Sequence, residues 1–134
     1  KRKQKIFIMD QKKFIIFYKT IFYFWLLFIF TVSIYPGNLI NLVLTGDPTT
    51  HPGGDKVSHF LTYFILGFFF YLSFKNDSSF KVITIFLIFF SLIMEIIHMG
   101  IPNRFYENFD LLMNFFGLII GMNIFRIYRL FSRS

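Results

Sequence analysis

A carboxylate and an imidazole stand inside a long apolar run in "SLIMEIIHMGIPNRFYENFD", residues 91–110. Glu95 and His98 are three residues apart, so on a helix their side chains lie on the same face. Side chains of these types can transfer protons, bind an ion or hold a polar ligand. An ionisable group inside a membrane costs at least ~2.5–3.5 kcal/mol and normally faces a bundle interior or a wet cavity. We therefore expect Glu95 and His98 to belong to an interior polar site.

The elements that position this pair are predicted to be membrane helices. Of the 134 residues, 55% are hydrophobic and 23% are aromatic, which is more apolar surface than a soluble domain of this size could bury. The sequence predicts an all-α integral membrane bundle of four transmembrane helices, the first from about Phe14 to Tyr35. The apolar stretches that approach the ~20 residues needed to cross a bilayer are 20–35, 57–74, 82–101 and 111–125. We expect the bundle to occupy residues 14–128, between basic cytoplasmic tails at 1–13 and 129–134.

The charge distribution predicts the orientation of this bundle. The formal net charge is +7, but the basic residues lie outside the apolar stretches, which indicates membrane topology and argues against a nucleic-acid partner. Most of them precede the first stretch, join the second to the third, or follow the fourth. By the positive-inside rule both termini are cytoplasmic, and Lys56 and Arg104 lie outside. The chain has no cysteine, which excludes disulfides, thiol nucleophiles and thiolate metal sites.

Polar residues of three different spans fall at one depth. At a helical rise of about 1.5 Å per residue, the second, third and fourth spans each bring polar side chains to the same outer layer. This coincidence predicts a polar pocket open to the extracytoplasmic side, with His59 and Glu95 as candidate acid and base. The predicted ligand-binding residues, including those that border the layer, are Asp55, Lys56, His59, Tyr63, Glu95, His98, Arg104, Asp110 and Asn114.

Two glycines follow these polar residues in the fourth span. Gly117 and Gly121 are four residues apart, on the side of Asp110 and Asn114. Small residues at this spacing allow membrane helices to approach closely. We expect them to serve helix packing and thereby bring Asn114 near the other helices.

The same residues form an ordered series of family motifs over about residues 53–125. "GGDKVSHFLTYFILGFFF" resembles the D-K-x-x-H-F entry of the VanZ-like membrane proteins. "MEIIH" and "PNRFYENFDLLMNFFGLIIG" resemble their E-x-x-Q, P-x-R and D-x-x-x-N-x-x-G-x-x-x-G signatures, with a histidine at position 98 in place of the amide. The resemblance implies a small multi-pass protein of a bacterial cytoplasmic membrane, and the family's namesake is associated with teicoplanin resistance. The positions it marks are Asp55, Lys56, His59, Glu95, Arg104, Asp110, Asn114, Gly117 and Gly121.

Several of these residues also have a purely structural interpretation. Asp110 lies in the first turn of the fourth helix, where a carboxylate complements the helix dipole. Asp55, Lys56 and Arg104 could form only a solvated rim of mutually screened charges. A metal site is the less favoured interpretation, since four-helix carboxylate proteins contribute two Glu-x-x-His motifs and this chain has one. The sequence therefore predicts no metal and no cofactor.

Three classes of function follow from a polar pocket in the outer leaflet. The favoured one is binding of an anionic membrane lipid, or of the headgroup of a lipid-linked cell-wall precursor, with an effect on glycopeptide susceptibility. An alternative is a membrane-embedded enzyme that modifies a phospholipid headgroup, with His59 and Glu95 as acid and base. A second alternative is a proton-coupled carrier, although carriers usually place such groups near the midplane. Self-association as a homo-oligomer is left open.

Overall fold

The computed structural model describes residues 2–37, 42–43, 46, 56–102, 104 and 106–132, with side chains from residue 11 onward. Four long helices run through these residues, and no strand is found among them. The helices are α1 (Arg2–Ile34), α2 (Lys56–Phe74), α3 (Phe80–Ile97) and α4 (Asn108–Phe131). A 3₁₀ turn, His98–Gly100, directly continues α3.

Each helix contains a segment long and apolar enough to cross a membrane. These segments are Gln11–Ile34, Lys56–Phe74, Phe80–Gly100 and Asn108–Phe131. The predicted all-α fold with four membrane spans is therefore confirmed. Which end of the bundle faces the cytoplasm stays a prediction.

Helix α1 begins well before the predicted first span. It starts at Arg2 instead of about Phe14, so the basic segment is helical and continuous with the apolar one. Lysine, arginine and glutamine favour helix almost as well as leucine, and no glycine or proline interrupts residues 2–34. The helix ends at Ile34, just before Pro36 and Gly37, where the positive φ of Gly37 (86°) suits glycine.

Helices α2 and α4 form the closest contact of the bundle. A Cβ atom added to Gly117 would collide with the backbone carbonyl of Phe60, and one added to Gly121 with that of Phe64. Gly67 of α2 stands in the same relation to the carbonyl of Leu118. Glycine on both helices thus lets their backbones touch, which larger residues would prevent.

Aromatic side chains fill the end of the bundle that carries the α2–α3 link. The ring of Phe22 on α1 lies 5.9 Å from that of Phe70 and 5.4 Å from that of Phe74, centroid to centroid. The Phe70 ring also stacks on Phe80 at 4.8 Å. Phe22, Phe70 and Phe74 are buried. We call this region the link end.

One ion pair ties α1 to the link itself. Lys19 Nζ lies 3.5 Å from Asp77 Oδ2 and 4.5 Å from the centre of the Phe74 ring. The backbone N–H of Ser79 donates to Asp77 Oδ1 at 2.9 Å. This N–H, together with the Lys19 ammonium, holds the pKa of the Asp77 carboxyl below its ordinary value.

Candidate functional site

Residues from all four helices line one cavity at the end opposite the link. Its volume is about 90 Å³. The wall combines apolar groups of α1 with polar groups of α2, the α3–α4 connection and α4. The polar or ionisable side chains that line it are Ser33, Ser58, His59, Thr62, Tyr63, Glu95, His98, Arg104 and Asn114. We call this region the polar end.

Glu95 is fully enclosed in the wall of this cavity, with 0% of its surface exposed. Its Oε1 atom accepts a hydrogen bond from the backbone N–H of Glu107 at 3.1 Å. Its Oε2 atom lies 3.5 Å from Nδ1 of His98, three residues later. The carboxylate therefore connects α3 to the start of α4, which is a structural role in its own right.

His59 sits between two polar residues of α4. Its Nδ1 lies 2.9 Å from Oδ1 of Asn114, and its Nε2 lies 3.6 Å from Oδ2 of Asp110. Both ring nitrogens thus face oxygen atoms, which a doubly protonated imidazole can contact at the same time. The close approach of α2 and α4 at Gly117 brings this histidine to Asn114, one turn earlier on α4.

The two histidines join the carboxylates into one cluster. The rings of His59 and His98 meet edge to face with their centres 6.4 Å apart. The cluster thus contains two carboxylate–imidazole pairs, Glu95 with His98 and Asp110 with His59. Each pair contains groups that can give or take a proton.

Several buried polar atoms in or next to the cluster lack a hydrogen bond within the described part of the chain. They include His98 Nε2 and the hydroxyls of Tyr63 and Ser91. The two hydroxyl groups are neighbours, but their geometry is not that of a hydrogen bond. Tyr63, Ser91 and His98 are each at most 4% exposed. Buried polar groups are normally satisfied by protein, ordered water or a ligand. These buried atoms are therefore able to form hydrogen bonds with water or with a polar ligand.

Arg104 fastens the α3–α4 connection onto α1. Its Nη2 atom donates to the backbone carbonyl of Val32 at 2.9 Å, and the side chain lines the cavity. Val32 lies in the last turn of α1, where carbonyls have no partner inside the helix and a cation is favoured by the helix dipole. The interaction places a positive charge at the cavity wall.

The remaining predicted site residues are peripheral to the cavity. Asp110 is buried behind His59, and its backbone N–H donates to the carbonyl of Glu107 at 3.1 Å within the first turn of α4. The ammonium of Lys56 lies 5.2 Å from the centre of the Phe109 ring. Asp55 lies outside the described residues. The predicted site residues that the structure brings together around the cavity are His59, Tyr63, Glu95, His98, Arg104 and Asn114. Asp110 contacts His59 but does not line the cavity.

Two contributors to the site were not predicted from the sequence. The wall formed by α1, including Val32 and Ser33, has no chemical pattern that would single it out. Ser91 had such a signal, because it lies four residues before Glu95 and hence on the same helix face.

The histidine and carboxylate side chains at the polar end are grouped in pairs. Among the residues that the structure describes, no three side chains of histidine, aspartate or glutamate are arranged to hold one ion. The two carboxylate–imidazole pairs instead meet where the His59 and His98 rings lie edge to face.

Comparison with known families decides the affiliation of the chain. Residues 8–129 match the VanZ/LLP1 family. The chain belongs to the VanZ/LLP1 family. The VanZ/LLP1 match extends beyond the motifs of residues 53–125 and includes the apolar part of α1, whose carbonyl at Val32 receives Arg104. Neither the curated proteins nor the solved structures contained a match to the chain.

Proposed function

We propose that the polar end binds the phosphate-bearing headgroup of an anionic cell-envelope lipid or of a lipid-linked cell-wall precursor. The observation that carries this proposal is a cavity wall that combines the Arg104 guanidinium with buried, unsatisfied polar atoms. Guanidinium groups bind phosphate oxygens through charge-assisted hydrogen bonds. The hydroxyl of Tyr63 can add a further donor.

The two carboxylates of the cluster need not repel such an anion. Glu95 is contacted by His98 and by the backbone N–H of Glu107, and Asp110 is contacted by His59. These contacts direct the carboxylate oxygens toward nitrogen atoms of the protein, while the Arg104 side chain supplies a positive charge at the cavity wall.

The size of the cavity limits what can enter it. A volume of about 90 Å³ accommodates several water molecules or one group of phosphate size, but not a whole lipid. In this proposal the phosphate enters the cavity while the acyl or isoprenoid chain stays in the bilayer. A family member of this kind would act by holding or presenting a headgroup.

The charge distribution of the chain supports access from outside the cell. The positive-inside rule favours cytoplasmic placement for the link end, where Lys75 and Lys81 flank the link. The polar end then faces the extracytoplasmic side of a bacterial cytoplasmic membrane. This is the side on which lipid-linked wall precursors and glycopeptides such as teicoplanin meet, so altered susceptibility would follow from holding such a precursor.

The direct test is lipid retention by the full-length protein. Native mass spectrometry after purification in lipid nanodiscs that contain phosphatidylglycerol would compare the wild type with Arg104→Ala and Arg104→Lys. Native mass spectrometry counts the lipids bound to each protein molecule. We expect Arg104→Ala to weaken the binding of one of these lipids roughly tenfold, or by about 1.4 kcal/mol, and Arg104→Lys to weaken it less because it keeps the charge.

A matched control removes a positive charge elsewhere. Lys81 is exposed at the link end, and Lys81→Ala should leave retention at the polar end unchanged. Equal retention by wild type and Arg104→Ala, with both proteins folded, would refute headgroup binding. That result would favour a purely structural polar network.

Acid–base catalysis on the same headgroup is the second candidate. The specific observation in its favour is the pair of carboxylate–imidazole contacts on opposite sides of one histidine–histidine contact. In this case His59→Gln and Glu95→Gln would abolish a change in lipid composition caused by expression, while Lys81→Ala would not. A lipid change that survives both substitutions would exclude these residues as acid and base.

A further inference from the structure

A groove with basic side chains lies at the link end, between α2 and α4. Its volume is about 310 Å³. It is lined by Tyr71, Met122, Asn123, Arg126, Arg129 and Leu130. The groove is separate from the polar end, because it shares no lining residue with the cavity around Glu95.

Arg126 and Arg129 are the charged side chains that line this groove. Within the described residues neither Arg126 nor Arg129 forms an ion pair, and Arg129 makes only a long hydrogen bond of 3.4 Å from Nε to the carbonyl of Phe125. They are three residues apart, so they project from one face of α4. Arg129 lies in the last turn of α4, where the negative end of the helix dipole stabilises its charge, and Arg126 lies about one turn earlier.

A third positive charge lies near Tyr71, one of the residues that line the groove. Lys75 Nζ lies 5.8 Å from the centre of the Tyr71 ring, on the α2 side. The other polar side chain of the wall, Asn123, donates to the carbonyl of Ile119 on its own helix at 2.9 Å. The groove therefore offers cations next to the apolar side chains of Met122 and Leu130.

The groove lies at the depth of lipid headgroups. At about 1.5 Å per residue, a hydrocarbon core of about 30 Å takes roughly 20 residues of α4. Counted from Asn108, the core ends at around residue 127, between Arg126 and Arg129. Tyrosine, represented here by Tyr71, is also favoured at this interface.

We propose that this groove binds the phosphate group of an anionic phospholipid from the leaflet at the link end. Arg126 and Arg129 would contact the phosphate oxygens, and the first part of an acyl chain would lie on Met122 and Leu130. The bound lipid would fill the space between α2 and α4 beyond Gly121, where glycine no longer draws the helices together. This site does not depend on the function proposed for the polar end.

The simplest competing explanation is that these arginines only set the topology of the chain. In that case any positive charge at the link end would attract anionic lipid equally well. The exposed Lys81, on α3 and outside the groove, provides the matched comparison.

The experiment measures lipids retained by the full-length protein, using native mass spectrometry with phosphatidylglycerol or phosphatidylcholine as the probe. We expect the wild type to retain phosphatidylglycerol over phosphatidylcholine. In the Arg104→Ala background, where the polar end does not contribute, the added pair Arg126→Gln/Arg129→Gln should lower that retention roughly tenfold. Lys81→Gln should retain the lipid like the wild type. A second double variant, Arg126→Lys/Arg129→Lys, should keep part of the binding. The part that it loses measures the bidentate contacts of the guanidinium groups, because the positive charges are retained.

Three outcomes would overturn the proposal. Equal losses in Lys81→Gln and in the arginine variant would mean general surface electrostatics. Equal retention of the two lipids would mean that the phosphate charge is not recognised. Displacement of the lipid by millimolar inorganic phosphate, added as a separate arm, would assign the site to free phosphate instead. Thermal unfolding of each variant shows that a loss of lipid is not a loss of fold.

Discussion

The two ends of this bundle are built from the same four helices but solve the burial of polar groups differently. At the link end, the buried serine, Ser73, donates to the carbonyl of Phe69 on its own helix at 2.6 Å, and rings fill the remaining space. At the polar end, the side chains of His98 and Tyr63 line a cavity, and His98 Nε2 and the Tyr63 hydroxyl have no hydrogen-bond partner among the described residues. Buried unsatisfied groups are costly, and their concentration at one end is the basis of the binding function proposed for the polar end.

The ion pairs of the two ends also differ in how far they are buried. The Lys19–Asp77 pair lies at the surface, with about a third of each side chain exposed (35% and 34%). The Glu95–His98 pair is almost completely enclosed, with 1% and 4% of the side chains exposed. Surface pairs contribute little, whereas removing one member of a buried pair is strongly destabilising. Substitutions at matched positions should therefore separate the two ends.

The largest effect is expected from the contact that holds both ends together. Gly121→Ala would place a Cβ atom against the carbonyl of Phe64, and backbone cannot yield as a side chain can. We expect a loss of about 3 kcal/mol in the free energy of unfolding, at the upper end for overpacking. Thermal unfolding in detergent would measure it, with Gly100→Ala as control because nothing lies within 4 Å of its added Cβ. Equal stability of the two variants would contradict the close approach of α2 and α4.

The next largest effect compares buried polar groups at the two ends. Glu95→Ala leaves the N–H of Glu107 without its acceptor and His98 without its carboxylate, and should cost about 2 kcal/mol of stability. Glu95→Gln keeps an acceptor oxygen and should cost less. Ser73→Ala, which removes only a hydrogen bond within its own helix, should cost under about 0.5 kcal/mol. A larger loss in Ser73→Ala than in Glu95→Ala would reverse the comparison.

A smaller effect is expected where α1 is attached between the two ends. Trp25 Nε1 donates to the carbonyl of Thr62 on α2 at 2.9 Å. Trp25→Phe keeps an aromatic ring but loses this bond, which should lower the free energy of unfolding by about 1 kcal/mol. Chemical denaturation would measure the change. An unchanged midpoint would mean that ring packing alone holds α1 at this height.

The smallest effect concerns the surface pair at the link end and depends on pH. The pKa of Asp77 is lowered in the folded protein, first by the Ser79 N–H and then with help from Lys19. Its stabilising contribution is therefore complete above the ordinary aspartate pKa of about 3.9 and is lost as the pH falls through the lower folded value. The difference in Tm between wild type and Asp77→Asn should be small at pH 7 and vanish once the pH falls below the lowered pKa of Asp77 in the folded protein. A difference that grows with acidification would contradict the assignment.

The sequence predicted the four spans and the polar layer from two simple signals. Apolar stretches of membrane length fixed the helices, and counting residues from their ends placed Glu95 at the same depth as His59. Neither signal contains the relative rotation and sequence register of neighbouring helices. For this reason the contact of Arg104 with the Val32 carbonyl could not be predicted from the sequence. Val32 lies near the end of α1, and Arg104 lies in the connection between α3 and α4.

Local geometry also changed two predicted elements. The basic segment before residue 14 joined α1, because helix propensity does not distinguish the charged part from the apolar part. The third helix tightened into a 3₁₀ turn at His98 where the prediction continued α-helix to about residue 101. This turn lies at a helix end, where i to i+3 hydrogen bonding is common and leaves no clear sequence signal.

The most direct test of the central claim is the accessibility of single cysteines, because the chain has no native cysteine. Ser58 lines the polar cavity and Ser78 is exposed at the link end, whereas Ser73 is buried there. With a membrane-impermeant thiol reagent, Ser58→Cys should react in intact cells, Ser78→Cys only after permeabilisation, and Ser73→Cys in neither case. Reaction of Ser78→Cys but not Ser58→Cys in intact cells would contradict an extracytoplasmic, water-accessible polar end.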